Sequence, residues 1–321
     1  MLQVPKHAPF HGASTHPTMR EVASVAGVSI KTVSRVVNAE GSVSAAASLR
    51  VHEAVEQLGY RHNLHARNLR RSDRRTATIG LLLAGVSDAY SSILRYEIES
   101  LALERHVLVF SGSSHKRVLR ESALIEAFSS HRVDGLIVVG AVHNRAQLLA
   151  ERRAGVPIVW VEQVSSSPDA DSVRTDLLGG VRLAAKHLTS YAHRRIAHLQ
   201  SAGRRGAIEE AIPELMSGDS PPTALFAHDG QSTLNAHRAL RRLGLERQVA
   251  LIGFDDVFDL ELQASGVSVI SPDPGAIGRV VAEVLFHRID GDESAPIERL
   301  VPCRLIARGS GEIRLAQIER R

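Results

Sequence analysis

The residues Thr18-Met19-Arg20-Glu21-Val22-Ala23-Ser24-Val25-Ala26-Gly27-Val28-Ser29-Ile30-Lys31-Thr32-Val33-Ser34-Arg35-Val36-Val37 decide how the first part of this chain folds. Thr18 and Glu21 stand at capping-box spacing, where each side chain satisfies the other's orphan backbone N–H at a helix start. Val22, Ala23, Val25 and Ala26 follow as the buried stripe of a short first helix. Gly27 suits the left-handed end of that helix, and Val28 plugs the turn into the core. Ser29 then caps a second helix, Ile30 to Val37. Its inner face is Val33, Val36 and Val37; its outer face is Ile30, Lys31, Thr32, Ser34 and Arg35. Ser44 caps a third helix carrying Val51, Val55 and Leu58, and Gly59 closes it. Three short helices with a tight glycine turn between the first two form a helix-turn-helix, assigned here to residues 18–62.

In that motif the start of the second helix fits the major groove of DNA. Ile30, Lys31 and Arg35 can face one groove, and Arg35 can grip a guanine edge bidentately, worth about 1–3 kcal/mol of discrimination. Thr32 and Ser34 are short donors suited to phosphate oxygens, which set register rather than sequence. The alternative is a three-helix bundle with no nucleic-acid role. The outward Lys and Arg, with no acidic residue among them, argue against it.

Charge distribution points the same way. Residues 1–75 hold two Lys and nine Arg against four Glu and one Asp, a balance of +6, which leaves −2 on the rest of a chain whose total is +4. A basic head on a near-neutral body suits a polyanionic partner. The 44% apolar and 23% charged fractions over 321 residues are those of a soluble globular protein with sizeable cores. No apolar run is long enough for a bilayer, so no membrane partner is expected. Residues 1–17 lack the apolar stretch of a secretory signal and read as a disordered tail. His7, His11 and His16 on that tail lack the fixed geometry of a zinc site, so no metal or cofactor is expected. The single cysteine, Cys303, excludes an internal disulfide framework and fits a reducing cytoplasm.

The matched residues are dense: Met19 to Ala23, Ala26 to Ser29, Thr32 to Asn38, Glu56-Gln57-Leu58-Gly59-Tyr60, and Asn63 with Ala66-Arg67-Asn68-Leu69-Arg70. Together they resemble the head of the lactose-repressor (LacI/GalR) family. The resemblance implies base-reading positions at Ile30, Lys31 and Arg35 within a DNA surface that includes Ser29, Thr32, Ser34 and Asn38. It also implies a hinge helix, Asn63 to Leu69, that folds on DNA, with Asn63, Ala66 and Arg67 at the duplex and Leu69 as the minor-groove wedge. His62 departs from the usual Pro. Arg67, Arg70, Arg71, Arg74 and Arg75 make the hinge and linker, residues 63–75, strongly basic, so its folding is expected to be coupled to phosphate neutralisation.

From Thr76 onward, short apolar runs alternate with helix-period stretches. The runs are Ile79–Leu83, Val107–Phe110, Leu136–Val139, Ile158–Val161, Ile196–Leu199, Ala224–Ala227 and Val249–Phe254. The stretches include 93–104, 119–128, 178–188 and 234–243. This rhythm implies an α/β body of parallel sheets with helices on both faces. Residues 76–321 are expected to form two lobes, about 76–176 with 274–300 and about 177–273 with 301–321. Ligands of such sheets bind beyond the carboxyl ends of the strands.

The resemblance continues through Arg132-Val133-Asp134-Gly135, Gly253-Phe254-Asp255-Asp256, Ile277-Gly278-Arg279 and Arg308-Gly309-Ser310, and covers almost all of Thr18 to Gly311. It implies a two-lobed periplasmic-binding-protein-like body, a homodimer on a near-palindromic double-stranded operator, and a sugar-like small-molecule effector that alters operator affinity. Tyr90 sits at the family's ring-stacking position, with Ser87 and Asp88 on the same loop. Glu162, Asp176 and Asp229 occupy acidic positions suited to sugar hydroxyls. Packing on the following helix is the alternative for Tyr90, and helix capping for Asp88 and Asp176. Departures are Gly85 for Asp, Ala89 for Pro, Leu177 for Asn and His228 for Asn. The stretch Gly203 to Pro222 is shorter than the family's by about one βα unit, including an effector-clamping Arg. The C-terminal lobe is therefore expected to be shortened, with a gap or a changed strand order.

Four functions follow: an effector-controlled repressor, a DNA-binding regulator without the usual effector response, a periplasmic sugar receptor, and an enzyme. The basic head argues against the receptor. The absence of G-x-x-x-x-G-K-[ST], G-x-S-x-G and H-E-x-x-H argues against the enzyme.

Overall fold

The computed structural model describes residues 17–37, 41, 43–60, 75–85, 89–162, 170–200, 207–256 and 266–314. The chain forms two compact units, one ending at residue 74 and one running from Arg75 to Arg321.

The first unit holds helices α1 (Met19–Ala26), α2 (Ile30–Val37) and α3 (Ala45–Leu58). Both halves of the Thr18–Glu21 capping box are made, and Gly27 and Gly59 take left-handed conformations as C-caps. Val22, Val33 and Val51, one from each helix, are fully buried, with Ala54 and Tyr60 closing the core. Val25 does not join it: the side chain is 47% exposed. At about 100° per residue it lies roughly 105° from the centre of the Val22–Ala23–Ala26 stripe.

The body contains two sheets. The first runs β10-β5-β4-β3-β1-β2, all parallel, from β1 (Thr78–Leu83), β2 (Leu108–Ser113), β3 (Leu136–Val139), β4 (Ile158–Val161), β5 (Asp171–Thr175) and β10 (Glu298–Val301). Helices α4 (Ala89–Glu104) and α10 (Pro274–Ile289) cover one face, burying Leu81, Leu94, Ile98, Ile277 and Val281. Helices α5 (Val118–Ser130) and α6 (Arg145–Arg153) cover the other, over Leu82, Ile125, Leu148 and Trp160. The crossing of α4 and α10 depends on Gly278, where a Cβ would stand 2.8 Å from the Leu94 carbonyl oxygen.

The second sheet runs β11-β9-β8-β7-β6, from β6 (Ile196–Leu199), β7 (Ala224–Ala227), β8 (Ala250–Phe254), β9 (Ser268–Ser271) and β11 (Arg304–Ile306). The first four strands are mutually parallel and β11 is antiparallel to β9. Helix α7 (Leu177–Ser190) packs on one face; α8 (Ala207–Ser217) and α9 (Gly230–Leu243) pack on the other. Three connections link the sheets, at Asp176, Asp273 and Pro302–Cys303.

The expectation of a gap or a changed order in the second sheet is not met. The stretch between β6 and β7 contains α8, and β6 pairs directly with β7 in the parallel ladder. Among the described residues β6 is the edge strand.

Four strands, β5, β9, β10 and β11, were not among the apolar runs. Asp-Ser-Val-Arg-Thr in β5 and Glu-Arg-Leu-Val in β10 are largely polar, and their pairing comes from tertiary position. Asp171 in β5 is buried because Arg288 of α10 meets it with two hydrogen bonds of 2.9 Å.

Candidate functional site

The outer face of α2 is built from its cap upward. Thr32 donates its backbone N–H to Ser29 Oγ at 3.1 Å, and the two hydroxyls lie 2.9 Å apart. Fully buried Val33 fixes the rotation of the helix, which leaves Ile30, Lys31 and Arg35 exposed and Thr32 and Ser34 half-buried. Lys31 and Arg35 are four residues apart and so share one face. Asn38, Asn63, Ala66, Arg67 and Leu69 lie outside the described residues, as do the tail to residue 16 and nearly all of the linker.

The second group gathers at the carboxyl ends of the body's strands. Tyr90, in the first turn of α4, donates its hydroxyl to Glu162 Oε1 at 2.7 Å. Thr175, at the end of β5, donates its hydroxyl to the same oxygen at 2.5 Å and its N–H to Glu162 Oε2 at 3.3 Å. Glu162 itself follows β4 with a φ of 55°, a left-handed conformation that costs a non-glycine residue energy. Burial first, then the Glu162 carboxylate, pushes the Tyr90 hydroxyl above its ordinary range. Tyr90 is therefore a neutral donor at any physiological pH.

Asp176 and Asp229 have their carboxylates engaged as helix caps. Asp176 accepts from Gly179 N–H at 2.8 Å at the start of α7. Asp229 accepts from the N–H of Ser232 at 2.8 Å and its hydroxyl at 2.6 Å at the start of α9. The capping alternative for Asp176 is thus the geometry seen, and Asp229 follows the same pattern. Ser87 and Asp88 lie outside the described residues. Leu177, in place of the family's Asn, is 54% exposed on the first turn of α7.

Three neighbours were not singled out for this site by sequence reasoning. Thr175 is the second hydroxyl on Glu162. Cys303, half-buried where β10 gives way to β11, contacts the Asp176 carbonyl oxygen at 3.6 Å. Burial and the charges of Asp176, Glu162 and Asp255 push its thiol up to about 11. Asp255 follows β8 with a φ of 67° and acts electrostatically on both Tyr90 and Cys303. A carboxylate after a buried strand is the signal that marks Asp255 and Glu162 alike; Thr175 carries no such mark. The result is a patch of hydroxyls and carboxylates shared by both sheets, suited to the hydroxyls of a polyol. Among the described residues no group of three or more His, Cys, Asp or Glu could hold a metal, and no helix is long and apolar enough to cross a membrane.

Comparisons with known proteins cover the whole of this architecture. Residues 18–63 match the model for bacterial regulatory proteins of the lacI family. Residues 76–211 match the periplasmic binding proteins and sugar binding domain of that family, and residues 152–311 a periplasmic binding protein-like domain. The HTH-type transcriptional regulator PtxS of Pseudomonas aeruginosa is 31% identical, over 91% of this chain and 95% of its own length. The ribose operon repressor of Escherichia coli is 26% identical, over 85% and 93%. The crystal structure of the lac repressor dimer bound to operator and an anti-inducer superposes with a TM-score of 0.76 at 22% identity, covering 92% of this chain and 99% of that one.

Proposed function

Since the chain belongs to the LacI family of bacterial regulatory proteins, we propose that it is a cytoplasmic repressor that binds a near-palindromic operator as a homodimer under the control of a sugar-like effector. Membership makes it a transcriptional regulator with a DNA-binding head and a periplasmic-binding-protein-like body. The observation that carries the operator reading is α2: capped by Ser29, anchored by Val33, and presenting Ile30, Lys31 and Arg35 outward. On this reading Ile30, Lys31 and Arg35 hold the base-reading positions, Thr32 and Ser34 contact phosphate oxygens, and Ser29 and Asn38 belong to the same DNA surface. The hinge residues Asn63, Ala66, Arg67 and Leu69 then enter the minor groove, with Leu69 as the wedge.

An exposed apolar stripe supports the homodimer. Ile93, Tyr96 and Leu103 line one side of α4 and are 37%, 67% and 68% exposed, and Leu108 on the edge strand β2 is 57% exposed. Apolar side chains in such a row favour burial against a second copy. The effector is assigned to the strand ends around Tyr90, Glu162, Asp176 and Asp229, and the reading includes Ser87 and Asp88, which precede Tyr90 in the sequence. A polyhydroxylated ligand would exchange hydrogen bonds with the Tyr90–Glu162–Thr175 network.

A second reading, a DNA-binding regulator without the effector response, is favoured by the engagement of both Asp176 and Asp229 as caps. Fluorescence anisotropy on an operator duplex, with sugars and nucleosides titrated in, separates the two. A ligand that shifts operator affinity supports effector control. No shift with any of them supports the second reading.

A further inference from the structure

Outside the Tyr90–Glu162 network, two histidines face each other at the carboxyl ends of β6 and β7 in the second sheet. His198 Nδ1 lies 3.0 Å from His228 Nε2. We propose that His198 and His228 form a chelating site for a divalent transition ion of the Ni2+, Cu2+ or Zn2+ class.

The strand register creates the pair. His198 of β6 stands opposite Phe226 of β7, and His228, two residues on, points to the same face. The His228 N–H donates to the Leu199 carbonyl at 2.9 Å, which extends the ladder and fixes the second ring's origin. Phe226 serves both rings as a platform, with centroids 5.8 Å from His198 at an interplanar angle of 85° and 4.7 Å from His228 at 60°. Because β6 is the edge strand among the described residues, His198 is exposed and an ion can approach.

The spacing suits a shared ion. Two imidazole nitrogens at about 2.0–2.1 Å from one metal and 3.0 Å from each other subtend about 90–100°. That angle matches square-planar or octahedral Ni2+ and Cu2+, and a few tenths of an ångström of opening gives tetrahedral Zn2+. Asp229 adds a negative charge one residue away, although its carboxylate is engaged with Ser232. No third His, Cys, Asp or Glu completes the set among the described residues, so water fills the remaining positions. An open, exchangeable site results, next to Asp229 of the proposed effector position, and it stands whether or not that effector reading holds. The sequence flags half of it: His228 replaces the family's Asn.

The test uses the full chain, stripped with a chelator and desalted, and the variants His198→Ala and His228→Asn. Ni2+ and Zn2+ are titrated against a chromophoric competitor at pH 7.5, and Cu2+ is added for electron paramagnetic resonance. The wild type is expected to hold one ion more than either variant, or to hold it at least tenfold more tightly. The Cu2+ spectrum of the wild type should show coupling to two nitrogens. His7, His11 and His16 remain in all three proteins and cancel in the comparison. Equal stoichiometry and affinity in the wild type and both variants, each with wild-type circular dichroism, would show a plain hydrogen-bonded pair and overturn the proposal. Loss in only one variant would overturn chelation by both rings.

Discussion

Replacing Arg288 with Met should destabilise the first lobe of the body more than replacing Asp171 with Asn, although the two residues form one ion pair. The pair is nearly buried, with side chains 11% and 8% exposed, and is joined by two hydrogen bonds of 2.9 Å. The remaining partners are unequal. Without Arg288, the Asp171 carboxylate keeps, among the described residues, only the Ile297 N–H at 2.9 Å. Breaking a buried pair in this way costs about 3–5 kcal/mol, because a charge is left without its counter-charge. Without the Asp171 charge, Arg288 still donates to the carbonyls of Asp292, Ser294 and Ala295 at 2.8, 2.7 and 3.0 Å. It also keeps Asp292 as an ion partner at 3.7 Å. The loss is then about 1.5–3 kcal/mol, that of hydrogen bonds to a charged group. The single tryptophan makes the measurement local: Trp160 is 1% exposed in β4, in register with Ser172 of β5, next to Asp171. Urea unfolding followed by its fluorescence should therefore report this lobe. A smaller loss for Arg288→Met than for Asp171→Asn, or losses below about 1 kcal/mol in both, would refute the reasoning.

Other consequences are equally direct. His193 and His228 both have proton affinities lowered chiefly by burial, so as pH falls the unfolded chain protonates first and stability drops below the ordinary imidazole range near 6.5. The melting temperature should fall between pH 7.5 and 5.5, and less so in a His193→Gln, His228→Asn variant; identical slopes would contradict this. With its thiol pushed up to about 11, Cys303 should react with a disulfide reagent at pH 8 roughly a hundredfold more slowly than an exposed cysteine. Labelling at the ordinary rate would exclude the buried, carboxylate-flanked setting. Ser29→Ala removes the cap of α2 and should cost the head about 1 kcal/mol, read by thermal circular dichroism. An unchanged melting curve would mean that the cap carries no weight.

What could be read from the sequence divides along a physical line. Local chemistry was legible: Thr18 with Glu21, Gly27, Ser29, Ser44 and Gly59 each act within a few residues, and their roles appear in the structure as caps and turns. Long apolar runs such as Leu136–Val139 and Ile158–Val161 were legible because burial on both faces needs continuous hydrophobicity. Strand β5 was not, because Asp171 is made tolerable by Arg288, 117 positions away. The site behaves likewise. Tyr90 and Glu162 could be placed by resemblance, but Thr175 joins Glu162 only through the neighbouring strand. His198 meets His228 only because β6 pairs with β7. Even Val25 follows this line, since the width of the buried stripe depends on how α1 sits against its neighbours.

Selection of bound sites from a pool of random duplexes, followed by affinity measurements for the wild type and Arg35→Ala, tests the central claim most directly. The account predicts an enriched, near-palindromic site whose halves match two copies of the head. Affinity for it should fall with salt on a log–log plot by about 0.9 per phosphate neutralised. Arg35→Ala should relax preference at particular base pairs by about 1–3 kcal/mol, whereas Arg70→Ala should weaken all sequences alike. No enriched sequence, or the same uniform loss from both substitutions, would contradict it.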